Sequence, residues 1–158
     1  MIYDGTNWVI VNDIDDTIPS GSSSTGASTS AKVASINGFI AYPGAKVDII
    51  FTAQNSVTSP TLNINTYGAK NIMYKGTRVG STALGKDILY HLEYNGTQFN
   101  VLDFETPVVS CTTAIGTAAK TATVPGYVNL AGEKIKLIFA NGNTAASPTL
   151  NINSNGAK

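Results

Sequence analysis

Apolar and polar residues alternate along most of this chain. In Lys46–Phe51 (KVDIIF), Val47, Ile49 and Phe51 share one side, with Lys46 and Asp48 opposite. A period of two predicts a strand with one face in a core. Lys134–Phe139 (KIKLIF) repeats the pattern, and Thr61–Asn65 (TLNIN) places Leu62 and Ile64 inward, Asn63 and Asn65 outward. Pro60 fits the start of that strand, where its missing N–H need not join a ladder. The clearest local signal is Tyr90–Val101, in which Asn95-Gly96 separates two alternating runs. Both residues accept φ > 0, which predicts a two-residue hairpin turn. In that register Tyr94 faces Thr97, Leu92 faces Phe99 and Tyr90 faces Val101, while Glu93 meets Gln98 and His91 meets Asn100 on the outward face. Asp4-Gly5 and Lys75-Gly76 read as further tight turns, and no segment reads as helix.

The alternating segments belong to a repeat. Ser59-Pro60-Thr61-Leu62-Asn63-Ile64-Asn65 recurs as Ser147–Asn153, 88 positions on. Without a gap, Ala31–Lys70 lies on Ala119–Lys158 with 19 identities in 40. A second echo, Tyr3-Asp4-Gly5-Thr6-Asn7-Trp8 with Tyr94-Asn95-Gly96-Thr97-Gln98-Phe99, falls 91 positions apart. Fixed-period self-similarity marks a modular architecture. It divides the chain into a final hairpin of a preceding unit (1–16), a connector (17–22), a complete unit (23–106), a second connector (107–110) and the first half of another unit (111–158). With about six strands per unit and turn signals every 8–12 residues, the expected fold is all-β: tandem small antiparallel β-sandwich or barrel modules of about 88 residues. The repeat phase predicts an excerpt from a longer array. Residues 111–158 would then leave apolar faces and a strand edge to be covered by continuing chain, or by a partner donating a hairpin like 1–11.

Composition narrows the function. Hydrophobic residues make up 42%, enough for a core, but charged residues only 13%, about half the usual share. Ten acidic residues balance ten basic ones, so neither nucleic acid nor an anionic membrane finds an electrostatic footprint. No apolar run has the length of a membrane span. Cys111 is the single cysteine; it aligns with Ser23, which points to a small buried residue and not to a reactive thiol. His91 is the single histidine; no triad with a histidine base is expected within this chain, and a surface pair with Glu93 is its ordinary role. Asp13-Ile14-Asp15-Asp16 lacks the glycine and distant glutamate of a calcium loop and reads as a solvated connector. No phosphate loop, paired-cysteine metal spacing or nucleophile elbow occurs. The expectation is a protein that is not an enzyme, with no catalytic residues, cofactor or metal.

The repeat blocks resemble a known type of module. Cys111-Thr112-Thr113-Ala114, Ala119–Gly126 (AKTATVPG), Ala145–Asn153 (AASPTLNIN) and Gly156-Ala157-Lys158, with Tyr3–Val9 and Asn12–Asp15, resemble repeats of tail-fibre and baseplate (receptor-binding) proteins of tailed phages. The resemblance implies a virion structural protein, extracellular on the tail, often a homotrimer, contacting other tail proteins and serving adsorption to host-surface polysaccharide. It assigns no binding residue. Aromatic rings on a surface rich in Asn and Thr suit sugar contact, and Tyr42, Tyr67 and Tyr74 are the candidates. Tyr42 and Tyr67 stand where the other copy has Leu130 and Asn155, so the framework does not require a ring there. Partial burial at strand edges is their ordinary explanation. The alternative functions are a carbohydrate-binding module in its own right, a stalk repeat of a bacterial surface adhesin, or a capsid head fibre.

Overall fold

A computed structural model describes residues 2–3, 8–9, 17–128 and 132–158. Among them are fourteen strands and no helix. In the order of the chain these are β1 (Ile2–Tyr3), β2 (Trp8–Val9), β3 (Ser20–Ser23), β4 (Ala31–Ala34), β5 (Ala45–Phe51), β6 (Thr61–Ile64) and β7 (Lys70–Tyr74). There follow β8 (Thr77–Arg78), β9 (Leu89–Tyr94), β10 (Phe99–Phe104), β11 (Val108–Cys111), β12 (Ala119–Ala122), β13 (Lys136–Phe139) and β14 (Thr149–Ile152). β3 and β11 begin inside the stretches 17–22 and 107–110 that the sequence marks as connectors.

The strand directions correct the expected architecture. β3 runs parallel to β5, with Ser20 opposite Asp48, and β4 runs parallel to β6, with Ala31 opposite Thr61. The chain therefore comes back in the same direction 28 and then 30 residues later, laying one two-strand coil beside the next. β9 joins β5 antiparallel (Ala45 opposite Tyr94), β10 pairs with β9, and β10 lies parallel to β7 (Phe99 opposite Ile72). The resulting path is β3-β5-β9-β10-β7-β6-β4, with β8 on β7. This all-β fold is wound as a β-solenoid and does not consist of antiparallel sandwich or barrel modules. Period-two alternation reports that one face is buried; it carries no information on the direction of the neighbouring strand.

One core fills the winding. Val47, Ile49 and Phe51 of β5, Leu62 and Ile64 of β6, Ile72 of β7 and Tyr90 and Leu92 of β9 are all buried, together with Leu84 from the loop before β9. Fully burying a side chain of this kind stabilises the fold by about 1.5–3 kcal/mol. Phe51 meets Tyr90 edge to face, and Phe39 and Tyr94 both pack on Phe99.

The β9–β10 hairpin keeps its predicted faces but not its predicted register. Tyr94 pairs with Phe99 and Leu92 with Val101, so Asn95–Gln98 form a four-residue loop. The Asn95 side chain decides this, because its Oδ1 accepts the N–H groups of Thr97 and Gln98 and the Thr97 hydroxyl, each at 3.0 Å. A slip of two residues leaves every side chain on its original face. A bulge between Val101 and Asp103 then sets His91 opposite Asp103 in place of Asn100. The tight turn at Lys75-Gly76 is present, with φ of 47° and 77°; the one at Asp4-Gly5 lies outside the described residues.

Candidate functional site: the repeated clamp and the junction between units

The motif shared by the two copies is a backbone clamp. Asn65 ends β6 in the left-handed region, at φ 49°. From there its Oδ1 accepts the Ile36 N–H at 2.8 Å, while its Nδ2 donates to the carbonyls of Ile36 (2.7 Å) and Phe39 (3.2 Å). Asn153, at φ 50°, holds Val124 in the same way, accepting its N–H at 2.7 Å and donating to its carbonyl at 2.8 Å. Asparagine suits this place because it tolerates φ > 0 and carries both a donor and an acceptor. Each clamp ties the end of one coil to the bend that follows the preceding coil's strand.

A buried lysine completes each copy. Lys32 and Lys120 are only 1% and 3% exposed. Lys32 Nζ donates to the carbonyls of Gly26 (2.8 Å) and Ala27 (3.3 Å), and Lys120 Nζ to those of Ala114 (2.8 Å) and Ile115 (3.4 Å). Burial holds the Lys32 amine below its ordinary value. Their one signal in the sequence is a lysine identical in the two copies, preceded in each by an alanine. Thr25 and Thr113 add a third shared contact, each accepting an N–H (from Val33 and Thr121) at 3.0 Å.

The copies meet at a junction. Val124-Pro125-Gly126 forms a turn of the second unit, and Val128 packs against the first unit's core. Gly126 lies so close to Tyr90 that a Cβ on it would sit 2.7 Å from the Tyr90 hydroxyl oxygen. That hydroxyl accepts the Gly85 N–H at 2.6 Å and donates to the Ala83 carbonyl at 3.0 Å. Alongside, Glu133 accepts hydrogen bonds from Tyr74 and from the ammonium of Lys75.

Burial raises the Tyr90 phenol well above its ordinary value, which has a consequence for alkaline stability. A group whose folded value is raised contributes stability fully present below its unfolded value, near pH 10, and lost as pH climbs towards the folded value. Unfolding midpoints of the chain are therefore expected to fall above pH 10. Tyr90→Phe should lower stability at neutral pH by about 1–3 kcal/mol, since two buried backbone groups lose their partner, and should flatten the alkaline fall. Parallel pH curves for the two proteins would contradict this account.

The structure separates the three candidate tyrosines. Tyr42 and Tyr67 are 51% and 47% exposed, and Tyr67 stands edge-on to Phe39. Tyr74 is partly buried at the junction, its ring edge-on to Phe104 and beneath Lys75, its hydroxyl bonded to Glu133. Burial first, then the Glu133 carboxylate, holds its phenol above the ordinary value. His91 pairs with Asp48 across β5 and β9 at 2.7 Å, not with Glu93. Cys111 is buried, as is Ser23 in the other copy. Asp13–Asp16 lie outside the described residues, and among the described ones no three metal-ligating side chains come together. No family model matches the chain, and no curated protein or solved structure matches it either.

Proposed function

We propose that the chain is a structural, adhesive stretch of a phage tail-fibre or baseplate protein, built to be stacked in series and presented outside the cell during adsorption. The observation that carries this reading is the recurrence of one hydrogen-bonded framework at a spacing of 88 residues, with the second copy seated on the first. Val108 opposite Lys136 and Ala119 opposite Thr149 reproduce, 88 residues on, Ser20 opposite Asp48 and Ala31 opposite Thr61. Stacked units of this kind extend a protein in one dimension and serve as spacers and display surfaces. The shared residues are clamps, caps and core, so what is repeated is geometry and not a reactive group. Side-by-side association of three such chains, contact with other tail proteins and contact with host polysaccharide belong to the same proposal.

Antibody raised against the chain is expected to label the tails of phage particles recovered from the bacterium that carries this gene. Label confined to the head, or to the bacterial wall in the absence of particles, would overturn the assignment in favour of a head fibre or an adhesin stalk.

The exposure of Tyr42 and Tyr67 favours a second reading, in which the unit itself contacts sugar. On an array of bacterial wall and capsular glycans, Tyr42→Ala and Tyr67→Ala would then lower binding by about tenfold each, in keeping with the loss of 1–2 kcal/mol from an aromatic contact. Equal signals from the two variants and the parent would reduce the unit to a spacer.

A further inference from the structure

The second copy carries a groove whose lining is mostly hydroxyl and amide. It holds about 370 Å3 between β11, β12 and β14, and is lined by Ser110, Thr112, Thr121, Thr123, Asn151 and Ser154. That size lies within the range of small-molecule sites, about 300–1,000 Å3. Ser110 and Thr112, like Thr121 and Thr123, are two residues apart and exposed, so each pair presents its hydroxyls on one face. Thr121 stands opposite Asn151 on the parallel neighbour, at a strand spacing of about 5 Å. Threonine is stiff at χ1, which makes these groups a fixed grid. The Thr121 hydroxyl lies 3.3 Å from that of Thr113. Among the described residues, no hydrogen bond engages the side chains of Ser110, Thr112, Thr123 or Ser154. The same face is open in the complete unit. At the corresponding positions Ser22, Ser24, Ser35 and Thr66 are exposed and Asn63 is partly buried, so the strands that complete that unit do not cover it. Val33, in the place of Thr121, alone breaks the hydroxyl pattern there.

We propose that this groove binds a neutral saccharide through its ring hydroxyls. An occupant must return a hydrogen bond to each polar group it takes from water, because a stranded group is costly. Serine and threonine hydroxyls both donate and accept, which matches a sugar ring bearing a hydroxyl on most of its carbons. No charged side chain lines the groove to balance an anion, no carboxylate to hold a metal ion, and no aromatic ring to stack a base. An apolar ligand would strand the whole grid. This site deepens the adsorption reading, on which it rests for the origin of the sugar, and it engages residues other than Tyr42 and Tyr67.

The test follows the amide resonances of the full chain by NMR during titration with glucose, galactose, rhamnose, N-acetylglucosamine and glucuronate. At least one of the four neutral sugars is expected to shift Thr112, Thr121, Thr123 and Ser154 in a saturable way, while Tyr42 and Tyr67 stay fixed. Thr121→Val installs the residue that the complete unit already holds at this place, so the framework accepts it. Its affinity should fall on the order of fivefold, the effect of about one hydrogen bond, and Thr112→Val should add a similar loss. The absence of a saturable shift with every neutral sugar would overturn the proposal. Unchanged affinity in the double variant would do the same, as would tighter binding of glucuronate than of any neutral sugar. Binding in the groove of a sugar that the host surface lacks would sink the adsorption reading and leave the groove standing. Host polysaccharide held only through Tyr42 and Tyr67 would sink the groove and leave that reading standing.

Discussion

Asn65→Ala is expected to destabilise the complete unit by about 3–5 kcal/mol, a large share of the stability of a small domain. Three losses combine. The Ile36 N–H and the carbonyls of Ile36 and Phe39 lose their side-chain partner in a partly buried bend, at about 1–3 kcal/mol for a stranded group. Alanine must also hold φ 49°, a left-handed conformation that costs an L-residue with no local side-chain hydrogen bond about 1–2 kcal/mol. The bend itself carries the buried Ile36 and Phe39, so releasing it loosens core packing. Asn65→Asp separates the contributions: its oxygen still accepts the Ile36 N–H, but two carbonyls now face a carboxylate in place of an amide donor. Its cost should therefore grow as pH rises through the carboxylate range. Asn153→Ala removes the equivalent bonds from residues 111–158, where far more of the apolar surface is exposed, so the main unfolding transition should move less. Chemical denaturation with linear extrapolation reads all three. A cost below about 1 kcal/mol for Asn65→Ala would mean that the bend holds without its clamp.

What the sequence reveals here is the repeat, and the repeat reveals most of the rest. Identical residues at Ser59–Asn65 and Ser147–Asn153 announce a shared local structure. Each has a separate duty: Ser59 and Ser147 take left-handed φ of 53° and 48°, Leu62 and Ile64 fill the core, and Asn65 and Asn153 clamp. Strand existence was equally legible, because Val47, Ile49 and Phe51 alternate with polar residues and all three are buried. Strand direction was not. The links that return the chain parallel after 28 or 30 residues contain another strand and several bends, and their Ser, Thr and Asn residues look like ordinary loop. Nine non-glycine residues among those described have positive φ, so bends form without the glycines that usually signal them. The hairpin register failed for a related reason: Asn95-Gly96 satisfies the two-residue rule, but the Asn95 side chain gains more by capping a longer loop. Ring chemistry alone singles out all three tyrosines, and the fold sets Tyr42 and Tyr67 on the surface and Tyr74 at the junction.

Gly126→Val is expected to part the second unit from the first while leaving the first folded. The Gly126 backbone, at φ 74°, runs directly over the Tyr90 hydroxyl. A Cβ there would meet that oxygen at 2.7 Å and the Ile88 Cδ1 at 3.1 Å, and a β-branched residue tolerates positive φ poorly. Tyr90 cannot yield, because its hydroxyl is held by the Gly85 N–H and the Ala83 carbonyl within the first unit's core. Gly85 closes the other side: a Cβ on it would lie 2.7 Å from the Gly126 nitrogen. The contact is thus backbone against backbone, and the turn of the second unit has to lift away. Lifting it removes Val128 from the first unit's core and pulls Glu133 from Tyr74 and Lys75. The last of these is modest, since the Lys75 side chain of the pair is half exposed and solvent screens its charge. Glu133→Gln alone should consequently change little, whereas Gly126→Val should bring protease cleavage after Lys120, Lys134 and Lys136 at a protease level that leaves the parent intact. The main unfolding transition, belonging to the complete unit, should persist, because the strands of that unit supply its own core. If Gly126→Val left cleavage unchanged, the seating of one unit on the other would not hold the array in register, and the two copies would behave as beads on a string.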